Sequence, residues 1–405
     1  MMRHHVQKNT NSRKSFQLTK QLPLNDINII TVTDVHSWVA GHGDHEIDLN
    51  ADYGCVLSFY QRLKEICRSE GRDLFLVMNG DFMDGTGLST NPPKYLIPIL
   101  EKMPWDAVNI GNHELYKKST VDYISNSGGF IDKLEGRYLS SNVRHSASGD
   151  YIGSRAKFIR GEFGSTILAF GFLYDMTNQD KSIEVDQVEA VVQESWFVEL
   201  LEGKSGSFGA ILVLAHMDVK DPLVSIILNA IRAVCGQDIP VQFVTGHTHY
   251  RGFKELDDKS VSFEAGHYLD TVGYVSFSKK GEFQHVFIDS NIAALASQLN
   301  LNESNLLTAE GKNLSEFIHK TQQDTGLLDV LGCSPANFYR NRTLSQPDSL
   351  FALYLNVIVS EYLFAGNSSK ILVQARGDFR YDLFSGSEDT FFTLHINDVM
   401  VISGG

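Results

Sequence analysis

The sequence predicts a layered α/β protein, and three observations carry that prediction. Short apolar runs stop at polar residues, as buried strands do; apolar residues between them recur at helical spacing; a later stretch alternates around a tight turn, as antiparallel strands do. With 405 residues, 42% hydrophobic and 21% charged, the chain has the composition of a globular protein of one large or two ordinary domains with a sizeable core.

The elements follow in order. "INIITV" from Ile27 and "DLFLVMN" from Asp73 read as the first strands. Between them Val56, Tyr60, Leu63 and Cys67, with Phe59 and Ile66 alongside, fall at helical spacing. A further helix is expected over about 183–202. Another lies in "PLVSIILNAIRAV", where Leu223, Ile226, Ile227, Ala230, Ile231 and Val234 form one stripe behind a proline suited to a first turn. The stretch 260–289 reads as antiparallel strands with a turn at Lys279 to Gly281. On this reading 1–25 is a polar tail and 26–290 the main α/β unit. An Asn/Ser-rich linker follows over 291–312, and a smaller unit over 313–405 with a helix near 348–364 and strands in "KILVQARGDF" and "TFFTLHINDVMVI".

A net charge of −14 and a pI near 5.4 exclude a protein that holds nucleic acid by neutralising phosphates. No run of about 18 apolar residues predicts a membrane segment, and the first twenty residues lack the apolar core of a signal peptide, so the cytoplasm is the default. Sequons at Asn302, Asn313, Asn341 and Asn367 keep a vacuolar or secretory route as the alternative. Cys55, Cys67, Cys235 and Cys333 form no CxxC pair, so neither a thiolate zinc site nor a disulfide framework is indicated.

The chemistry sits where the apolar runs end, the edge of an α/β sheet at which ligands collect. "IITVTDVH" ends in Asp34 and His36, "LFLVMNGDFMDG" in Asp81 and Asp84, and "DAVNIGNHE" in Asn112, His113 and Glu114. "AILVLAHMD" ends in His216 and "VQFVTGHTH" in His247 and His249. In an extended segment residues two apart share a face, so Asp34 with His36, and His247 with His249, can point into one site. Oxygen and nitrogen donors without thiolates suit Zn, Mn or Fe. Seven ligands are too many for one tetrahedral ion and fit two divalent metal ions bridged by a carboxylate.

The ordered blocks DxH, GDxxDG, GNHE, a lone His after a strand, and GHTH resemble the calcineurin-like metallophosphoesterases. "GDFMDGTG", "GNHELY" and "HYLDTVGYVSF" resemble its 5'-nucleotidase branch and fungal relatives. The resemblance covers roughly residues 27–290 and implies a four-layer αββα sandwich followed by a smaller α/β C-terminal domain. It implies Asp34, His36 and His249 as ligands of one metal, Asn112, His216 and His247 as ligands of the other, and Asp81 as the bridge. It makes His113 catalytic, protonating the leaving oxygen or stabilising phosphoryl charge, with a metal-bridging hydroxide as nucleophile. Nucleotidases of the family place an Asp three residues after that His to orient its ring; here the position is Tyr116. "ARGDFRYDLF" resembles the family's NGGGxR stretch and matches Arg380 to its substrate-binding arginine, with Ala375, Arg376 and Asp378 departing from the pattern. The family's aromatic base clamp would fall after Gly405, so that either the C-terminal domain is short or truncated or base recognition differs.

The expected function is a binuclear phosphoric ester hydrolase, a 5'-nucleotidase-like phosphomonoesterase acting on a small phosphate ester, a nucleotide by the resemblance. The alternatives are a phosphodiesterase on cyclic or sugar nucleotides, or a truncated, non-catalytic metal-binding protein. His4, His5, His145, His285, His319 and His395 read as structural or surface histidines, and His42, His45 and His267 as polar-loop histidines rather than residues lining the cleft. Asp84 reads as a turn residue holding backbone amides, and Thr248 as a spacer. Gly80, Gly111 and Gly246 are expected to let the backbone bend behind the site, and Phe351, Phe391 and Phe392 to be core. The oligomeric state is not legible.

Overall fold

Every residue of Ile27–Val32 (β1) and Asp73–Asn79 (β2) is buried, the mark of strands covered on both faces. Between them Tyr53–Ser69 forms α1, begun by Asp52, whose carboxylate accepts the amide of Cys55 at 2.8 Å. The computed structural model describes residues 22–42, 46, 48–203, 207–329, 334, 336–363 and 383.

The chain continues through α2 (Ile97–Leu100), β3 (Ala107–Asn109), a single 3-10 turn His113–Leu115, α3 (Lys118–Ser125), α4 (Phe130–Lys133), β4 (Tyr138–Leu139), β5 (Val143–His145), β6 (Ala156–Arg160) and β7 (Thr166–Leu173). Then come β8 (Ile183–Val185), α5 (Val188–Val191), α6 (Ser195–Gly203), β9 (Ala210–His216), α7 (Pro222–Cys235), β10 (Val241–Thr245), β11 (Arg251–Asp257), β12 (Ser260–Ala265), β13 (Thr271–Phe277) and β14 (Phe283–Asp289). α8 (Ile292–Gln298), α9 (Ala309–Asp324) and α10 (Leu350–Leu353) follow, the last running on as a wider helical winding over Tyr354–Leu363.

Two six-stranded sheets result, ordered β14-β13-β1-β2-β3-β4 and β11-β12-β10-β9-β7-β6. In the first, β1 to β4 are parallel, β13 runs against β1, and β14 runs against β13. In the second, β7, β9, β10 and β12 are parallel and the edges β6 and β11 antiparallel. Ile29, Val77, Ala107 and Leu139 of the first sheet meet Leu212, Leu214, Val244 and Phe263 of the second in one buried cluster. The outer face of the first sheet packs under α1 through Val56, Phe59 and Leu63. The second is covered by Phe197, Ile227 and Ile231 of α6 and α7. Each such side chain contributes about 1.5–3 kcal/mol of burial. The layers are α, β, β, α, so the carboxyl ends of β1, β2, β3, β9 and β10 converge on one edge.

Two stretches differ from their sequence reading. Ile183–Val185 is a strand, not a helix, because Ile183 and Val185 flank Glu184 in β alternation and pair with His145 and Val143; the helical part breaks into α5 and α6. Within 260–289, β12 runs parallel to β10 and only β13 and β14 form a hairpin. The chain changes sheet at Gly266 to Asp270, where Gly266, Tyr268 and Leu269 take φ of +80°, +51° and +57°.

Residues 291–324 carry α8 and α9, and α9 lies against α1. A Cβ on Gly54 would collide with the carbonyl of Gly311, and one on Gly311 with the carbonyl of Gly54. Cys55 and Cys67 are buried and Cys235 half-buried, all three as free thiols. Cys333, Asn367, His4, His5, His45, the "KILVQARGDF" strand with Arg380, Phe391, Phe392 and His395 lie outside the described residues. Among the described residues no helix is long and apolar enough to cross a membrane.

Candidate metal centre

The site residues do not converge by extended alternation. Asp34, His36, Asp81, His247 and His249 have φ of +50°, +46°, +48°, +77° and +65°, a left-handed conformation that costs energy in residues bearing a Cβ. The strain is held by the surrounding bonds. The amides of Asp34 and His36 donate to the carbonyls of Gly80 and Asp81 at 3.2 and 2.9 Å, and the amide of His247 donates to both oxygens of Asp34 at 3.0 Å. Gly246 has no room for a side chain against Thr33 and Asp34, nor Gly111 against Asp81.

Two groups of donor atoms result, Asp34 with His36, Asp81 and His249, and Asp81 with His216 and His247. Within each group the atoms lie within 4.8 Å of one another. Asp81 belongs to both. The carboxamide Oδ1 of Asn112 lies 3.2 Å from Nε2 of His216. All but His247 and His249 are buried.

The hydrogen bonds fix the tautomers. Nδ1 of His36 faces the carbonyls of Met83 and Asp84 at 2.7 and 2.9 Å, and Nδ1 of His216 faces that of Asn79 at 2.8 Å. Carbonyls only accept, so both Nδ1 atoms carry hydrogen and both Nε2 atoms point lone pairs inward. There Nε2 of His36 stands 3.1 Å from Nε2 of His249 and 3.7 Å from Oδ2 of Asp81, and Nε2 of His216 stands 3.1 Å from the same Oδ2. Lone pairs aimed at lone pairs in a buried pocket call for positive charge between them, so the residues fit divalent cations.

The electrostatics agree. Burial would raise Asp34 and Asp81, but the imidazoles, His216 foremost, hold both below the usual carboxylate range, Asp81 far below. Burial pushes His36 down to about 3 and His247 down to about 4. At His216 burial is overcome by Asp81 and Asp34, which hold its pKa up at about 10: without an ion, a proton takes the cation's place.

Two buried acids support the loops. Glu114 lies in the 3-10 turn rather than on an extended segment, and its carboxylate accepts the amides of Asp81, Gly111 and Met83 at 3.0, 2.8 and 3.2 Å. Glu264 accepts the amide of Thr248 at 3.1 Å and its hydroxyl at 2.7 Å. Burial pushes each acid up to about 8. Thr248 is therefore an anchor between the paired histidines, not only a spacer.

His113 is held at both ends. Its amide donates to Oδ1 of Asp81 at 2.9 Å, and its Nδ1 lies 3.0 Å from Oδ2 of Asp84. Asp84 does not use its side chain to hold backbone amides of its turn, as the sequence suggested; its carboxylate takes the place of the Asp missing at 116. Tyr116 instead accepts the carboxamide Nδ2 of Asn112 at 2.9 Å.

The other histidines fall into place. His42 is buried, bonded to Glu46 at 2.8 Å and to the carbonyl of Tyr268 at 2.6 Å, and stacks on Trp38. His267 stacks on His249 with ring centres 5.0 Å apart, and His285 stacks on Phe253. Sequence reasoning missed Glu264 and Tyr174. The cue for Glu264 was an acid inside the otherwise apolar and small run "SVSFEA", which needs buried partners; Tyr174 carried no cue.

Residues 27–251 match the calcineurin-like phosphoesterase family, and the chain belongs to it: it is a hydrolase of phosphate esters. Within that family its architecture is that of the 5'-nucleotidase branch. The crystal structure of 5'-nucleotidase from Candida albicans superposes with a TM-score of 0.80 at 27% identity, covering 91% of this chain and 71% of that one. An uncharacterized protein of Schizosaccharomyces pombe is 30% identical over 94% of this chain, which spans 69% of it. A protein of Arthroderma benhamiae named as secreted is 30% identical over 62% of this chain, which spans 39% of its length.

Proposed function

We propose that the protein is a phosphomonoesterase of 5'-nucleotidase type, with nucleoside monophosphates as its substrate class. Asp34, His36, Asp81 and His249 would hold one divalent ion and Asp81, Asn112, His216 and His247 the second. The observation that carries the reading is the convergence of Nε2 of His36 and His216 on the Asp81 carboxylate, with Nε2 of His249 against Nε2 of His36 and Oδ1 of Asp34. Ions bound there would supply Lewis acidity toward a phosphoryl oxygen and toward water.

His113 is the acid in this reading. Asp84 accepts its Nδ1 hydrogen and favours the imidazolium, which leaves Nε2 to carry the proton delivered to the departing alkoxide oxygen. The amide bond to Asp81 fixes the distance of His113 from the cluster, and its ring edge rests on His36 at 4.6 Å between centres. This bonded pair supports catalysis over metal binding alone. The role of Arg380 in substrate binding is part of the proposal on the strength of the sequence pattern.

Protein reloaded with Mn²⁺ or Zn²⁺ is expected to release inorganic phosphate from nucleoside monophosphates faster than from bis(p-nitrophenyl) phosphate, cyclic nucleotides or sugar nucleotides. No turnover of any monoester by protein carrying two ions would refute it, and preference for a diester would move the chain to the diesterase reading.

A further inference from the structure

We infer that Tyr116 is a positioning residue: its hydroxyl orients the carboxamide of Asn112 while Tyr174 beside it backs the ring of His247, so that two phenols preset the second ion's ligands. The inference rests on the metal reading above and adds to it the residues that aim that ion's donors.

A carboxamide can ligate a cation only through oxygen, and turned over it would present two N–H hydrogens to the positive charge. Asn112 is buried, with Oδ1 on the side of His216 at 3.2 Å and Nδ2 on the side of Tyr116 at 2.9 Å. Since Nδ1 of His216 is committed to the carbonyl of Asn79, Nε2 of the neutral imidazole and Oδ1 of Asn112 are both acceptors, a pair that a cation between them satisfies. The Tyr116 oxygen takes the opposite end of the amide and so selects the orientation.

Tyr116 reaches the other sheet as well. Its hydroxyl interacts with that of Tyr174, just past the end of β7. The Tyr174 ring lies over the ring of His247, centres 4.5 Å apart and planes 32° apart. The pair thus spans the gap between the loop carrying Asn112 and the loop carrying His247. In this chain the task of holding His113 belongs to Asp84, which frees position 116 for the metal side.

Tyr116→Phe keeps the ring, including its edge contact with His113 at 5.1 Å, and removes only the hydroxyl. The protein would be stripped with chelator and titrated with Mn²⁺ by calorimetry and with Co²⁺ by visible absorption. Two ions per chain are expected for the wild type. In Tyr116→Phe one affinity should fall about ten- to hundredfold, the range for partners that orient a ligand, while the other holds. Phosphate release should return at saturating metal. Tyr174→Phe should weaken the same site, less severely. Unchanged affinities in Tyr116→Phe, or equal weakening of both sites, would overturn the inference. Failure of the wild type to bind a pair of ions would overturn the metal reading beneath it.

Discussion

The carboxylate of Asp84 meets Nδ1 of His113 at 3.0 Å, so an acid from the loop after β2 orients an imidazole from the loop after β3. Burial would raise Asp84, but the hydrogen bond and charge of His113 outweigh it and hold the carboxyl below its usual range. Asp84→Asn keeps the size of the side chain and removes the charge that favours imidazolium. The expected result is a fall in kcat of about 10²-fold, within the range of general acid catalysis, with two ions still bound. Nucleoside monophosphates, whose alkoxide needs a proton, should lose more than p-nitrophenyl phosphate, whose phenolate does not; equal losses would place Asp84 outside proton transfer.

Glu264 and Thr248 give a second prediction. The Thr248 amide and hydroxyl both end on one buried carboxylate, and the two flanking histidines sit at positive φ. Thr248→Val preserves shape but deletes the hydroxyl donor, leaving a buried acid short of a partner at a cost of about 1–3 kcal/mol. Urea melts of the metal-free protein should show that loss. Because His247 and His249 are assigned to different ions, metal titration should show both affinities reduced, in contrast to Tyr116→Phe.

The donors of this site were legible because each follows a buried strand. The strands β1, β2, β3, β9 and β10 are buried along their whole length, and their carboxyl ends fall on one edge by topology. The supporting contacts were not legible, because they join residues far apart in sequence. Glu264 reaches Thr248 across sixteen positions, Asp84 reaches His113 across twenty-nine, and Tyr174 meets Tyr116 from the other sheet. Local pattern also misled where backbone conformation departs from the regular: Asp34 with His36 and His247 with His249 converge through left-handed turns. At 183–185, three residues of alternation were too short to tell from helix.

Asp106 supplies a pH prediction away from the metals. Burial pushes its carboxyl up to about 6 from 3.8, against the bond it accepts from the Leu76 amide at 2.7 Å and the pull of Lys64 and Arg137. The fold therefore favours the protonated acid. The stability this provides is full below about pH 4 and is lost as pH rises through 6, an effect of about 2–3 kcal/mol. Asp106→Asn retains an acceptor for Leu76 and cannot ionise. Its melting temperature, measured from pH 4 to 8, should overtake that of the wild type as pH rises; a constant difference would show that the charge is not at issue.

The crossing of α1 and α9 tests how residues 309–324 are fixed to the sandwich. Two opposed effects act in Gly311→Ala: alanine is the better helix former by about 1 kcal/mol, yet its methyl would meet the carbonyl of Gly54 and the hydroxyl of Ser58. A hydroxyl can rotate away, but a carbonyl locked in the first turns of α1 cannot. The helices must then part, which loosens Leu314 and Ile318 from the cluster they share with Val56 and Phe59. Overpacking of this kind costs about 1–3 kcal/mol and should outweigh the gain in propensity. Urea denaturation should therefore show Gly311→Ala less stable than the wild type, and adding Ser58→Ala should restore only part of the loss because the backbone collision remains. Full recovery in the double variant would mean that the hydroxyl alone sets the approach of the two helices.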